Sequence, residues 1–372
     1  MASMIYLDNG ATSFRKPRAV ALAVSRAMAQ CANPGRGGYP AAMEAARRVY
    51  GCREAAASLF GCNPEQVVFT SNCTHGLNIA IRSLVKPGGR VVISGFEHNA
   101  VTRPLYGLGA KVRIAGRKLF DREDTLREFE KALDQGADAA VFTHVSNVFG
   151  YILPVAEMAA LCRERGIPFA VDAAQSAGVL PVNLTDWGAD FIAMPGHKGL
   201  LGPQGTGLLL CRGGAEPLLR GGTGSESASQ EMPEYLPDRL EAGTLNVPGI
   251  AGLEAGLRFL GKVGTEEIFR REHRQLLECV RGLRKLGMEV FTGEHQAGTV
   301  SFRCGMDCEE AARALARQGI ALRAGLHCAP TAHESAGTLA TGTVRVSFGW
   351  DADYAQTDAL IRAVSKLTPA KS

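Results

Sequence analysis

The chain has 372 residues, 46% hydrophobic and 21% charged, a mixture that can bury a sizeable core and gives no sign of disorder. Its 41 basic and 37 acidic residues leave a net charge of +4 with no basic stripe, which argues against a nucleic-acid partner, and no stretch reaches the roughly 18 uninterrupted apolar residues of a membrane span. Its 10 cysteines include no CxxC pair and Met1–Asn9 lacks a basic stretch followed by an apolar core, so free thiols in a cytoplasmic protein are expected, and Cys304 with Cys308, lacking a second pair, predicts no metal site.

The first helical pattern starts at Pro17, suited to a first turn, and runs towards Ala29; a second covers Ala41–Phe60. Short apolar runs then alternate with amphipathic stretches. Val67–Thr70, Arg90–Ser94, Lys111–Ile114, Ala139–Thr143, Pro168–Val171, Phe191–Met194 and Gly207–Cys211 read as strands, with helices such as Leu126–Leu133 and Val155–Arg165 between them. Most of these runs are apolar throughout rather than alternating, as in strands covered by helices on both faces. The rhythm predicts an α/β fold with a mostly parallel seven-stranded sheet. Gly221–Thr244, rich in Gly, Ser, Glu and Pro, reads as a mobile or interface loop. Beyond about residue 250 the texture changes. A helix at Thr265–Leu286 leads to strands near Glu289–Phe291, Thr299–Arg303 and Thr343–Phe348, with helices at Cys308–Gln318 and Asp353–Leu367, which predicts a smaller α+β domain.

Three stretches carry chemistry. In Pro168–Gln175 an apolar strand ends in Asp172, and in an open parallel sheet ligands sit outside the carboxyl ends of strands; such an aspartate can equally cap the next helix. Gly196-His197-Lys198-Gly199 follows another apolar strand. A lysine among small residues at a sheet edge has the setting for the depressed pKa that Schiff-base chemistry needs, although lysines are ordinarily solvated. In Phe69–Asn78 a strand gives way to a helix whose start, at Asn72, Cys73 and Thr74, suits a phosphate or plain capping. A phosphate cradle, an acid for a ring nitrogen and an amine for an aldehyde are together what pyridoxal phosphate (PLP) requires. No G-x-G-x-x-G follows the first strand, so a dinucleotide fold is excluded.

With Y-L-D-N-G-A-T-S at Tyr6–Ser13, V-D-A-A-Q at 171–175, G-H-K at 196–198, E-A-G-T-L-N at 241–246, R-A-G-L-H-C at 323–328 and V-R-V-S at Val344–Ser347, the chain resembles the class V aminotransferase family of fold-type I PLP enzymes. Within it the resemblance is to cysteine desulfurases, especially the group II type, with selenocysteine lyases. It implies that Lys198 condenses with the cofactor and shuttles protons, Asp172 pairs with the pyridinium nitrogen and Gln175 with the ring hydroxyl. His98 stacks on the ring and acts in acid–base steps, and Asn147 lies by the cofactor and the substrate carboxylate. Thr74 and His197 hold the phosphate beside Cys73, Thr244 reaches it from the partner subunit, and Arg345 clamps the substrate carboxylate, a task suited to a planar fork. A homodimer is therefore expected, with a large PLP domain over residues 15–250 and a small α+β domain from 1–14 and 251–372.

The resemblance makes Cys328 the nucleophile that takes sulfur from L-cysteine as a persulfide, leaving L-alanine for release and the sulfur for an acceptor protein; His327 or Arg323 is expected to favour its thiolate. Selenocysteine lyase, another class V aminotransferase or β-lyase, and a non-catalytic sulfur carrier on the same fold remain as alternatives. The pattern is broken in three places. Pro195 offers no hydroxyl where a phosphate-binding serine is usual, Cys73 stands where threonine is common, and the family's R-G-x-H is here Arg36-Gly37-Gly38-Tyr39.

Overall fold

The computed structural model describes residues 4–35 and 37–367. Arg36, in the altered R-G-x-H stretch, therefore lies outside the described residues. The central sheet has seven strands in the order Val67–Thr70, Gly207–Cys211, Phe191–Pro195, Phe169–Asp172, Ala139–Thr143, Arg90–Ser94 and Lys111–Ala115. Gly207–Cys211 runs antiparallel to both neighbours and every other pairing is parallel. Alternate residues feed two cores: Phe142, Val171 and Ile192 point to one, Val141, Ala170 and Ala193 to the other. Because both faces are buried, the strands have no polar side to show, which is why they read as continuous apolar runs.

Helices Arg18–Gln30 and Pro40–Phe60 pack on helix Val247–Val263, whose Val247, Ile250, Leu253, Leu257 and Leu260 belong to the core of the large sheet. This helix spans residue 250. A separate core that includes Phe302, Val344 and Val346 lies around a four-stranded antiparallel sheet ordered Arg323–Gly325, Thr343–Ser347, Thr299–Arg303, Glu289–Phe291. The N-terminal segment joins that second core: Ile5–Tyr6 pairs in parallel with Ile320–Ala321, and Asp8 bridges to Ser347. Residues 8–13 are thereby carried across to the carboxyl ends of the large sheet, where the Ser13 N–H bonds the His197 carbonyl at 3.0 Å. Among the described residues no helix is long and apolar enough to cross a membrane.

Candidate active site

Eight of the nine residues expected to hold the cofactor line one cavity: Cys73, Thr74, His98, Asn147, Asp172, Gln175, His197 and Lys198. The cavity lies at the carboxyl ends of the parallel strands, where backbone leaves the sheet and side chains converge.

Asp172 ends its strand and is 2% exposed. Its Oδ1 accepts the Ala174 N–H at 2.8 Å and the Cys73 thiol at 3.4 Å. Burial, and then the Asp172 charge, push the Cys73 thiol well above its ordinary pKa, so it stays protonated and donates. The Cys73 side chain is thus turned to the ring acid, and only its backbone stands at the helix start. There Asn72 Oδ1 accepts the His75 N–H at 2.9 Å, and the Cys73 and Thr74 N–H groups have no intrahelical partner. Thr74 is exposed at that edge, and Pro195 contributes wall without a hydroxyl.

Lys198 follows strand Phe191–Pro195 in a turn closed by Gly202 N–H on the Gly196 carbonyl, 2.7 Å, and Leu201 N–H on the Lys198 carbonyl, 2.9 Å. A side chain at Gly196 would place its Cβ 2.0 Å from Thr206 Oγ1, so only glycine fits before the His-Lys pair. Loss of water lowers the Lys198 pKa, with Asp172 pulling the other way. His197 is held neutral, its pKa lowered to about 4 by burial and then by Lys198 and Lys16. His98 is likewise lowered, chiefly by burial and against the pull of Asp172. Its Nδ1 accepts the Ala100 N–H at 3.0 Å, which leaves the hydrogen of the neutral ring on Nε2. Gln175 Nε2 donates to the Gly10 carbonyl at 2.9 Å.

Three expected residues do not line the cavity. Arg345 is 2% exposed, with Nη2 on Asp8 Oδ1 at 2.6 Å, Nη1 on the Asn147 carbonyl at 3.1 Å, and Nε buried without a partner. Thr244 is exposed on the loop after Glu241. Cys328 is exposed, but the Asn99 N–H donates to its carbonyl at 2.7 Å, and Asn147 Nδ2 donates to the neighbouring His327 carbonyl at 2.8 Å. His327 supplies no positive charge to the thiol: burial, reinforced by Arg345, lowers its pKa to about 2. Tyr39 is exposed at the start of helix Pro40–Phe60.

Other residues were not foreseen. Asp8 is the counter-ion of Arg345 and also meets Arg323 Nε at 3.3 Å. Glu97 is fully buried and raised to about 8 by burial; its Oε1 accepts the Thr143 N–H at 2.9 Å and the Ser94 hydroxyl. Glu241 receives Arg53 through two bonds, 2.9 and 2.6 Å, together with the Phe69 N–H at 2.6 Å, tying the Thr244 loop to the strand that leads to the helix start. The signal was present in the sequence: Asp8 lies in Y-L-D-N-G-A-T-S, Glu97 directly precedes His98, and Glu241 opens E-A-G-T-L-N.

The donor set fits PLP. A buried carboxylate, a desolvated amine and an open helix start share the cavity, and two of its polar atoms, Asn147 Oδ1 and His197 Nδ1, are buried without a protein partner. Comparison with known proteins gives the class. The model of the family "Aminotransferase class-V" matches residues 5–360, and the chain belongs to that family. A protein of Methanothermobacter thermautotrophicus named "Probable cysteine desulfurase" is 34% identical, over 90% of this chain and 88% of its own. The apo structure of a cysteine desulfurase from Thermococcus onnurineus superposes with a TM-score of 0.90 at 31% identity, covering 98% of this chain and 94% of that one. At 23% identity and a TM-score of 0.84, covering 98% and 97%, a C-DES mutant with glycine covalently linked to its PLP cofactor shares the fold.

Proposed function

We propose that the protein is a PLP-dependent cysteine desulfurase that converts L-cysteine to L-alanine and keeps the sulfur as a persulfide on Cys328. The observation that carries this reading is the convergence of Lys198 and Asp172 on one cavity whose wall residue Asn147 is bonded to the backbone beside Cys328. Membership in the family and the named relatives support it.

PLP, when bound, supplies an electron sink for the Cα of the substrate. Asp172, kept in place by the Ala174 N–H and the Cys73 thiol, provides the negative charge that holds a ring nitrogen protonated. The free-amine form of Lys198 is favoured by burial, so it can take and return a proton at Nζ. His98 offers its Nε2 hydrogen beside them. Arg345, whose Nη2 is held by Asp8 and whose Nη1 is held by the carbonyl of the wall residue Asn147, is the cation to which we assign the substrate carboxylate. As the Cys328 thiolate sulfur bonds to the substrate sulfur, the Cβ–S bond breaks and the substrate carbon gains the hydrogen, so L-cysteine and a thiol become L-alanine and a persulfide with no external oxidant.

An exposed Cys328 suits handover to an acceptor protein, and an exposed Thr244 off its own cavity suits a homodimer in which it serves the other site. The 10 cysteines are all free, in keeping with a reducing, cytoplasmic setting. The division into a large domain over residues 15–250 and a small one from 1–14 and 251–372 is part of this proposal, with helix Val247–Val263 packing into the core of the large sheet.

The test is incubation of PLP-loaded protein with L-cysteine and a thiol reductant, measuring alanine and sulfide together, beside Cys328→Ala and Lys198→Ala. Equal amounts from wild type and none from either variant are expected. Pyruvate in place of alanine, or a fully active Cys328→Ala, would sink the reading.

A further inference from the structure

We propose that Thr331 and Ser335 are positioning residues for Cys328: they clamp the segment that carries this cysteine onto Gly95–Asn99, the segment that carries His98. The inference rests on Cys328 being the nucleophile.

His327 and Cys328 are both left-handed, with φ of 49° and 58°. Residues with a Cβ seldom adopt that region, and a consecutive pair persists only where its surroundings over-determine it. Part of that restraint comes from the Asn147 amide on the His327 carbonyl, 2.8 Å, and the Asn99 N–H on the Cys328 carbonyl, 2.7 Å. A third contact joins His327 Nε2 to the Thr343 carbonyl at 3.2 Å.

The chain then enters helix Pro330–Ser335, and that helix turns back to the same place. Thr331 Oγ1 donates to the Glu97 carbonyl at 2.8 Å and Ser335 Oγ to the Gly95 carbonyl at 2.8 Å, contacts that cross 234 and 240 residues of sequence. Gly95, Glu97 and Asn99 thus each give one backbone group to the nucleophile segment. The receiving segment is itself fixed, since the buried Glu97 carboxyl takes the Thr143 N–H at 2.9 Å and the Ser94 hydroxyl from two neighbouring strands of the large sheet. Neither Thr331 nor Ser335 lines the cavity. Through the clamp, the small-sheet side of the molecule delivers its thiol at a set distance from His98 on the large-sheet side.

The experiment compares Thr331→Val, Thr331→Ser, Ser335→Ala and the Val/Ala double variant as holoenzymes. Three quantities are read: the rate of Cys328 alkylation by iodoacetamide, kcat and KM for L-cysteine, and the visible absorbance of bound PLP. In the double variant, alkylation is expected to change severalfold and kcat to fall about tenfold or more, the scale of a reacting atom displaced by less than an ångström, with KM and absorbance held. Thr331→Ser restores both. The clamp is refuted if the double variant alkylates and turns over like wild type, if it loses PLP absorbance in step with activity, or if Thr331→Ser behaves like Thr331→Val. Alkylation needs no turnover, so it judges the clamp even if alanine is never formed, whereas absence of alanine from wild type refutes the desulfurase reading alone.

Discussion

Replacing Asp8 by asparagine removes one negative charge while keeping the side chain's shape. Arg345, 2% exposed, cannot follow by giving up its proton, because a guanidinium stays charged in a protein. Its carboxylate partner is Asp8, at 2.6 Å, and the Asp8 side chain is 14% exposed. Removing one member of a buried pair costs about 3–5 kcal/mol; the asparagine oxygen still accepts from Nη2, worth about 1 kcal/mol, so about 2–4 kcal/mol of lost stability is expected. Arg323, half exposed and 3.3 Å from Asp8, adds less than about 1 kcal/mol. Urea unfolding of the apo-protein measures the loss as a shifted midpoint at unchanged slope. In the loaded enzyme KM for L-cysteine rises about tenfold, because the guanidinium assigned to the substrate carboxylate is no longer held on its Nη2 side. A midpoint shift worth less than about 0.5 kcal/mol would refute the reasoning, since it would mean that the buried guanidinium does not depend on this carboxylate.

Arg53→Met and Glu241→Leu should each cost about 3 kcal/mol in denaturant unfolding, and the double variant less than either, because it leaves no unpaired buried charge; equal or additive losses would contradict that account. Glu272, 7% exposed, is raised to about 8 by burial and then by Asp351, from the ordinary carboxyl value of 4.5. The unfolded chain therefore releases this proton first, and the native state is penalised progressively as pH rises from 4.5 to 8. Glu272→Gln should match wild type near pH 4 and exceed it at pH 8 by on the order of 2–4 kcal/mol, and a gain independent of pH would contradict the assignment. His197 and His333, both lowered to about 4 by burial, work in the opposite sense: the unfolded state gains their protons first, so apo-protein stability should fall between pH 6.5 and 4 in a pH series of unfolding midpoints. Gly196→Ala forces a Cβ against Thr206 Oγ1 and should reduce PLP uptake, measured by absorbance, more than the same change at the open Gly222.

The strands of the large sheet were legible because burial on both faces leaves a continuous apolar run, and Lys111–Ala115, Phe169–Asp172 and Phe191–Pro195 were each misjudged by a single residue at one end or both. Helix Val247–Val263 was not recognised: it carries Gly249, Gly252, Gly256 and Gly261, which read against a helix. Their reason is tertiary. A Cβ at Gly256 would lie 2.4 Å from the Leu200 carbonyl, so that face of the helix must be bare for it to pack against the turn after Lys198.

For the site, residue types in local order were enough to bring Asp172, Lys198 and the helix start at Cys73 together, because strand ends of one sheet share an edge wherever the fold is α/β. Residue order said nothing of what each group would lean on. That the Cys73 thiol turns to Asp172, that Arg345 spends two nitrogens on Asp8 and Asn147, that His327 is too dry to be a cation, and that Cys328 is held left-handed by a segment more than 200 residues earlier all depend on contacts between distant stretches. The chemistry available to this protein was written in local sequence because it depends on which functional groups are present. Their protonation and placement were decided by the tertiary structure, because desolvation and hydrogen-bond partners exist only once the two sheets and the N-terminal segment have met.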